Sequence, residues 1–130
     1  MWVLDTNTLI YFFKGVGRVS ETLLSHTPSD IAVPAIVLYE LEVGIAKSSS
    51  PTKRRQQLQA FVAATQVLAF GVKEAQAAAQ IRASLEKSGQ PIGAHDVLIA
   101  ATALAQKATL VTHNTKEFGR IKSLELEDWF

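Results

Sequence analysis

Three acids stand out because each starts or interrupts an apolar element: Asp5 in Trp2-Val3-Leu4-Asp5-Thr6-Asn7, Glu40 inside Ala35 to Lys47, and Asp96 at the head of Val97 to Ala105. They are 35 and 56 residues apart, so only folding can bring them together. Carboxylates that converge in one cleft repel each other and raise each other's pKa. A hard divalent cation, Mg²⁺ or Mn²⁺, removes that penalty through oxygen ligands, activates water and steadies a phosphodiester under in-line attack. Asp5, Glu40 and Asp96 are therefore the candidate metal ligands and catalytic acids. The plainer alternatives are that Asp5 only caps a helix, that Glu40 pairs with a core cation, and that Asp96 only favours its own helix N-terminus.

Helical phase separates neighbouring acids. At about 100° per residue, Glu40 shares a face with Ile36, Val37, Val43 and Gly44 and is expected to point inward, while Glu42 falls about 200° away. A second set of polar residues follows a late apolar run, in Thr112-His113-Asn114-Thr115-Lys116-Glu117. Thr112, Asn114 and Glu117 join the candidate site if that run ends on the same cleft, with Thr6 and Asn7 entering from the first strand. His113 and His95 read as exposed loop histidines.

The elements that must position these residues alternate. Short apolar strands are expected at Trp2 to Leu4, Ile31 to Val33, Val67 to Phe70 and Thr109 to Thr112. Helices are expected at Thr8–Phe13, Arg18–His26, Ala35–Lys47, Thr52–Thr65, Lys73–Lys87 and Ala94–Lys107, followed by a tail to Phe130. Buried strands alternating with helices predict an α/β fold, with a central parallel sheet of four to five short strands and helices on both faces. Carboxylates at the strands' C-terminal ends then lie where open α/β sheets bind ligands.

The chain's 130 residues suit one domain, with 48% hydrophobic and 19% charged content typical of a globular chain. Cysteine is absent, which excludes disulfides, thiolate catalysis and Cys-based zinc sites and fits a cytoplasmic location. The N-terminus is a poor signal peptide, and no apolar run approaches a membrane span. A net charge of +1 does not argue nucleic-acid binding from the whole-chain field. The basic clusters are Lys14 with Arg18 and Lys53-Arg54-Arg55; a solvated face is the plain alternative for each and the preferred reading for the second.

Several stretches together resemble the PIN-domain ribonucleases, and within them the VapC-type toxins of bacterial toxin–antitoxin pairs. They are Val-Leu-Asp-Thr-Asn at 3–7, Tyr-Glu-Leu-Glu-Val-Gly at 39–44, Gly-Gln-Pro-Ile-Gly-Ala-His-Asp at 89–96 with Leu-Ile-Ala-Ala at 98–101, Leu-Val-Thr-His-Asn-Thr-Lys-Glu-Phe at 110–118, and Leu-Glu-Asp-Trp at 126–129. The resemblance covers nearly the whole chain as a single PIN domain, residues 1–130. It implies Mg²⁺- or Mn²⁺-dependent endonucleolytic cleavage of RNA, with transfer RNA or ribosomal RNA loops as substrates and arrest of translation as the result. It also implies Asp5, Glu40 and Asp96 as the acidic site, a homodimer, and a cognate VapB-type antitoxin through which the complex binds operator DNA. Many members carry an aspartate where this chain has Asn114; here either Glu117, three residues later, is the fourth acid or the site has none. Two other classes compete. An aspartate-based phosphatase wants Asp-x-Asp, where this chain has Asp5-Thr6-Asn7. A non-catalytic RNA- or protein-binding module would leave the acids structural.

Overall fold

A computed structural model describes all 130 residues. Five strands form one parallel sheet in the order β3-β2-β1-β4-β5. They are β1 (Trp2–Leu4), β2 (Ile31–Pro34), β3 (Gln66–Leu68), β4 (Thr109–Val111) and β5 (Leu126–Glu127). The central strand is the first in sequence. Leu4 pairs with Val111 on one side and Val3 with Ala32 on the other. Val3, Leu4, Ile31, Val33, Leu110 and Val111 have no solvent exposure, as befits strands covered on both faces.

Helices α1 (Thr6–Lys14), α2 (Val19–Leu24), α3 (Ala35–Ala46), α4 (Pro51–Ala64), α5 (Val72–Lys87), α6 (Ala94–Ala105) and α7 (Thr115–Phe118) make the crossovers and the last turn. α6 is buried almost throughout, and its alanines let α5 pack closely along it. The buried residues of α3 are Val37, Leu41 and Ile45, one helical turn apart, and this stripe sets the direction of Glu40 beside it.

The structure corrects several expected boundaries. α1 starts at Thr6 rather than Thr8, because Asp5 is its N-cap. α2 is only six residues long, and β2 extends past Val33 to Pro34, which is also the N-cap of α3. The last expected strand residue, Thr112, lies past the end of β4. The tail contains β5, which pairs Leu126 with Leu110 and Glu127 with Val111. No helix is long and apolar enough to cross a membrane.

Candidate active site

The site is built at the C-terminal ends of β1 and β4. Asp5 follows the last residue of β1, and its N–H donates to the Val111 carbonyl at 3.1 Å. Its extended backbone (φ −79°, ψ 172°) is that of a helix N-cap, and Oδ1 accepts the Thr8 N–H at 2.9 Å. Oδ2 accepts the Thr112 hydroxyl at 2.6 Å. The capping alternative is therefore realised, by a carboxylate that is only 5% exposed. Burial pushes the Asp5 carboxyl above its ordinary pKa. The hydrogen bonds from Thr112 and Thr8 oppose the shift without cancelling it, and the charge of Glu40 adds to it.

Thr112 links two parts of the site. It is fully buried, donates to Asp5, and accepts the Asn114 N–H at 3.0 Å. Asn114 then caps α7 by position, and its side-chain amide donates to Glu117 Oε2 at 3.2 Å. Asn114 and Glu117 thus lie on one side of a single turn, as their spacing of three predicts.

Glu40 is not inward among Val43 and Gly44, both of which are exposed. It lies at the edge of the Val37–Leu41–Ile45 stripe with its side chain 29% exposed. Oε1 accepts the Thr6 hydroxyl at 2.6 Å, and Oε2 lies 3.4 Å from His95 Nδ1. His95 is therefore no loop residue. It sits in the first turn of α6, edge-on to Tyr39, and reaches across to Glu40. Asn7 is exposed on α1 and makes no hydrogen bond to these residues, so it does not join them. Glu42 faces away and pairs with Arg55 of α4 at 3.4 Å, in line with the helical phase.

Asp96 is the third residue of α6 and half-buried. Its carboxylate accepts no hydrogen bond from a side chain, and a Cβ on Gly93 would come within 3.2 Å of Oδ2. Its pKa is raised first by desolvation, then by the charges of Glu117, Glu40 and Asp5, with His95 opposing. Four carboxylates from α1's cap, α3, α6 and α7 therefore act on one another. None is paired with a lysine or arginine: the ion pairs of the chain are Arg55–Glu42, Arg82–Glu86, His95–Glu40 and His113–Asp128.

This donor set is all hard oxygen, which suits Mg²⁺ or Mn²⁺. No three acidic or histidine side chains are drawn into a closed cage. The residues fit a cation that keeps several waters and takes one or two carboxylates directly. Thr8, Gly93 and the His95–Glu40 contact were not legible as site features. Thr8 lies three residues after the cap, the position an N-cap acid reaches. The other two depend on how α3 meets α6.

Three comparisons agree with this architecture. The family model of the PIN domain matches residues 2–124. A protein named Ribonuclease VapC2 from Rickettsia felis is 34% identical over 99% of this chain and 98% of its own length. A tRNA(fMet)-specific endonuclease VapC from Salmonella typhimurium is 33% identical over 98% of this chain and 97% of its own. Among solved structures, VapBC2 from Rickettsia felis bound to a promoter DNA fragment superimposes with a TM-score of 0.91 at 35% identity, covering 99% of this chain and 98% of that one. DNA-bound VapBC from Salmonella typhimurium gives 0.92 at 33% identity, with the same coverage. With its parallel sheet, its match to the family model over residues 2–124 and relatives about a third identical over nearly all of it, the chain belongs to the PIN-domain family, among the VapC-type ribonucleases.

Proposed function

We propose that this chain is the toxin of a VapBC-type pair, an endoribonuclease dependent on Mg²⁺ or Mn²⁺ that cuts a loop of transfer or ribosomal RNA and so arrests translation. The observation that carries this is the set of four interacting carboxylates without a lysine or arginine partner. Bare, that set repels a polyanion, and a divalent cation reverses the sign. Asp5, Glu40 and Asp96 would hold the cation, with Glu117 as a fourth acid. Bound there, it supplies charge neutralisation at the phosphodiester and a water activated for attack.

The chain's own residues do the positioning. Thr112 and Thr8 fix both oxygens of Asp5, and Thr6 and His95 fix those of Glu40. Each fixed oxygen keeps a second lone pair for a ligand or water. Asp96, without a side-chain donor, has both oxygens free. Purified protein incubated with transfer and ribosomal RNA, with 5′ ends mapped, is expected to cut in Mg²⁺ and not in EDTA. Equal cutting in EDTA would remove the metal from the reaction. RNA binding without cutting would favour the binding-module alternative.

The partner is a VapB-type antitoxin that carries the operator-DNA contacts. A groove of about 570 Å³ between α1, α2 and α4, lined by Phe12, Phe13, Leu23, Leu24 and Phe61, suits an apolar antitoxin segment, and a second of about 400 Å³ between α1, α3 and α4 adjoins it at Phe13 and Gln57. The homodimer is supported by Tyr39 and Val43, exposed one turn apart on α3. Sedimentation of the isolated chain tests it, and a monomer at micromolar concentration would rule it out.

A further inference from the structure

His113 lies between Thr112, which holds Asp5, and Asn114, which holds Glu117. Its own ring is used differently. Nδ1 is 2.9 Å from Asp128 Oδ2, and an ionised carboxylate only accepts, so the Nδ1–H donates and fixes the ring. The imidazole stacks on Phe130 with centroids 4.2 Å apart and planes at 23°. Tyr11 of α1 meets Phe130 edge-on at 4.9 Å. The Phe130 backbone is also fixed. Its N–H donates to Asp128 Oδ1 at 2.9 Å, and its carbonyl accepts the Arg18 N–H at 2.8 Å. Gly17, at φ +66°, makes room for it: a Cβ there would fall 2.8 Å from the Phe130 carbonyl oxygen. Yet Phe130 stays 41% exposed and the His113 side chain 47%. A ring held only for core packing would be buried as Phe118 is, at 1%. Arg18, beside the stack, is exposed and makes no ion pair.

We propose that the His113–Phe130 stack, with Arg18 next to it, seats a nucleobase and phosphate of the RNA strand beside the scissile bond. The proposal rests on the ribonuclease function above. Four carboxylates and a net charge of +1 give the strand little attraction, so affinity must come from elsewhere. Single-stranded RNA is held by stacking of splayed bases on aromatic and imidazole rings, and by cations on its phosphates. The stack is one residue from Thr112 along the chain, and consecutive Cα atoms are about 3.8 Å apart. On this proposal the seat holds the strand beside the phosphodiester that meets the acids. Because every base has a π-face, the seat positions the strand without reading its sequence.

The test uses a short 5′-labelled single-stranded RNA of random sequence and the Asp96→Asn protein in Mg²⁺, read by fluorescence anisotropy. His113→Ala and Phe130→Leu are each expected to raise Kd about tenfold. His113→Phe keeps a planar ring and should stay within about twofold of the parent, a rescue that a purely structural histidine would not show. Arg18→Gln should reduce the slope of log K against log salt by about one. With Asp96 in place, the same changes should raise KM for RNA while kcat holds, with melting temperatures as the folding control. Unchanged Kd in both His113→Ala and Phe130→Leu would overturn the proposal. So would a loss of antitoxin affinity with RNA affinity intact, which would assign the stack to the protein partner. If the parent never cuts RNA but these variants bind it less well, the ribonuclease function fails and the seat stands.

Discussion

Asp5 and Asp96 are both pushed toward protonation, first by burial and then by acidic neighbours, Glu40 for Asp5 and Glu117, Glu40 and Asp5 for Asp96. Each therefore binds a proton more readily in the folded chain than in the unfolded one. The stability of the metal-free protein falls as pH rises above the ordinary carboxyl value of 3.8. Asp96→Asn should raise the metal-free melting temperature at pH 7 by about 1 to 3 °C, a gain that shrinks toward pH 4. The same variant should lose cleavage. Asp5→Asn should also be inactive but gain less stability, because its carboxylate is held by Thr112 and Thr8. Melting curves in EDTA across pH, beside RNA cleavage in Mg²⁺, check both. Full activity in Asp5→Asn, Glu40→Gln or Asp96→Asn would remove that residue from the mechanism. At the next residues along, Asn114→Asp would place a second carboxylate against Glu117, where an amide now donates at 3.2 Å. It should lower metal-free stability and steepen its dependence on Mg²⁺, while Glu117→Gln should weaken Mg²⁺ binding with partial loss of activity. Unchanged affinity in both, by calorimetry, would put this turn outside the metal's reach.

At the scale of elements, α3 shows what periodicity can and cannot tell. The phase that separates Glu40 from Glu42 was legible, because it needs only the helical repeat. Glu42→Gln should therefore retain at least about half the activity, losing only the exposed pair with Arg55. A dead Glu42→Gln would contradict the helix geometry. The depth of Glu40 was misjudged, since Val43 and Gly44 look apolar in sequence but face solvent. What decides depth is which stripe the sheet covers, and that is tertiary. The two residues of β5 carry no period to detect, and their pairing with β4 is set by register alone. Thr112 was legible by its place after an apolar run. Its role as the hinge between Asp5 and Asn114 was not, because it depends on β1 lying beside β4. Thr112→Val should cost about 1–3 kcal/mol by leaving the Asn114 N–H without its acceptor and Asp5 Oδ2 without its donor. Denaturant unfolding would measure it, and a change below about 0.5 kcal/mol would show that water takes the hydroxyl's place.

Over the whole molecule, the fold was legible in outline because each buried strand is a short apolar run flanked by turn signals, from Trp2-Val3-Leu4 to Thr109-Leu110-Val111. The strand order was not, because order is fixed by how crossovers pack and not by any local pattern. That order puts the earliest strand of the chain in the middle of the sheet, with one neighbour from residues 31–34 and the other from residues 109–111. A ribosome making this protein therefore holds Asp5 in its completed product long before Val111 and Thr112 exist to support it. As the toxin proposed above, the nascent chain lacks that support until residues 109–112 have left the exit tunnel, an interval in which the proposed antitoxin can be supplied. Chains stalled after residue 108 should show no RNA cleavage, whereas released full-length chains should. Cutting by the stalled chains would mean that the acids can assemble without β4.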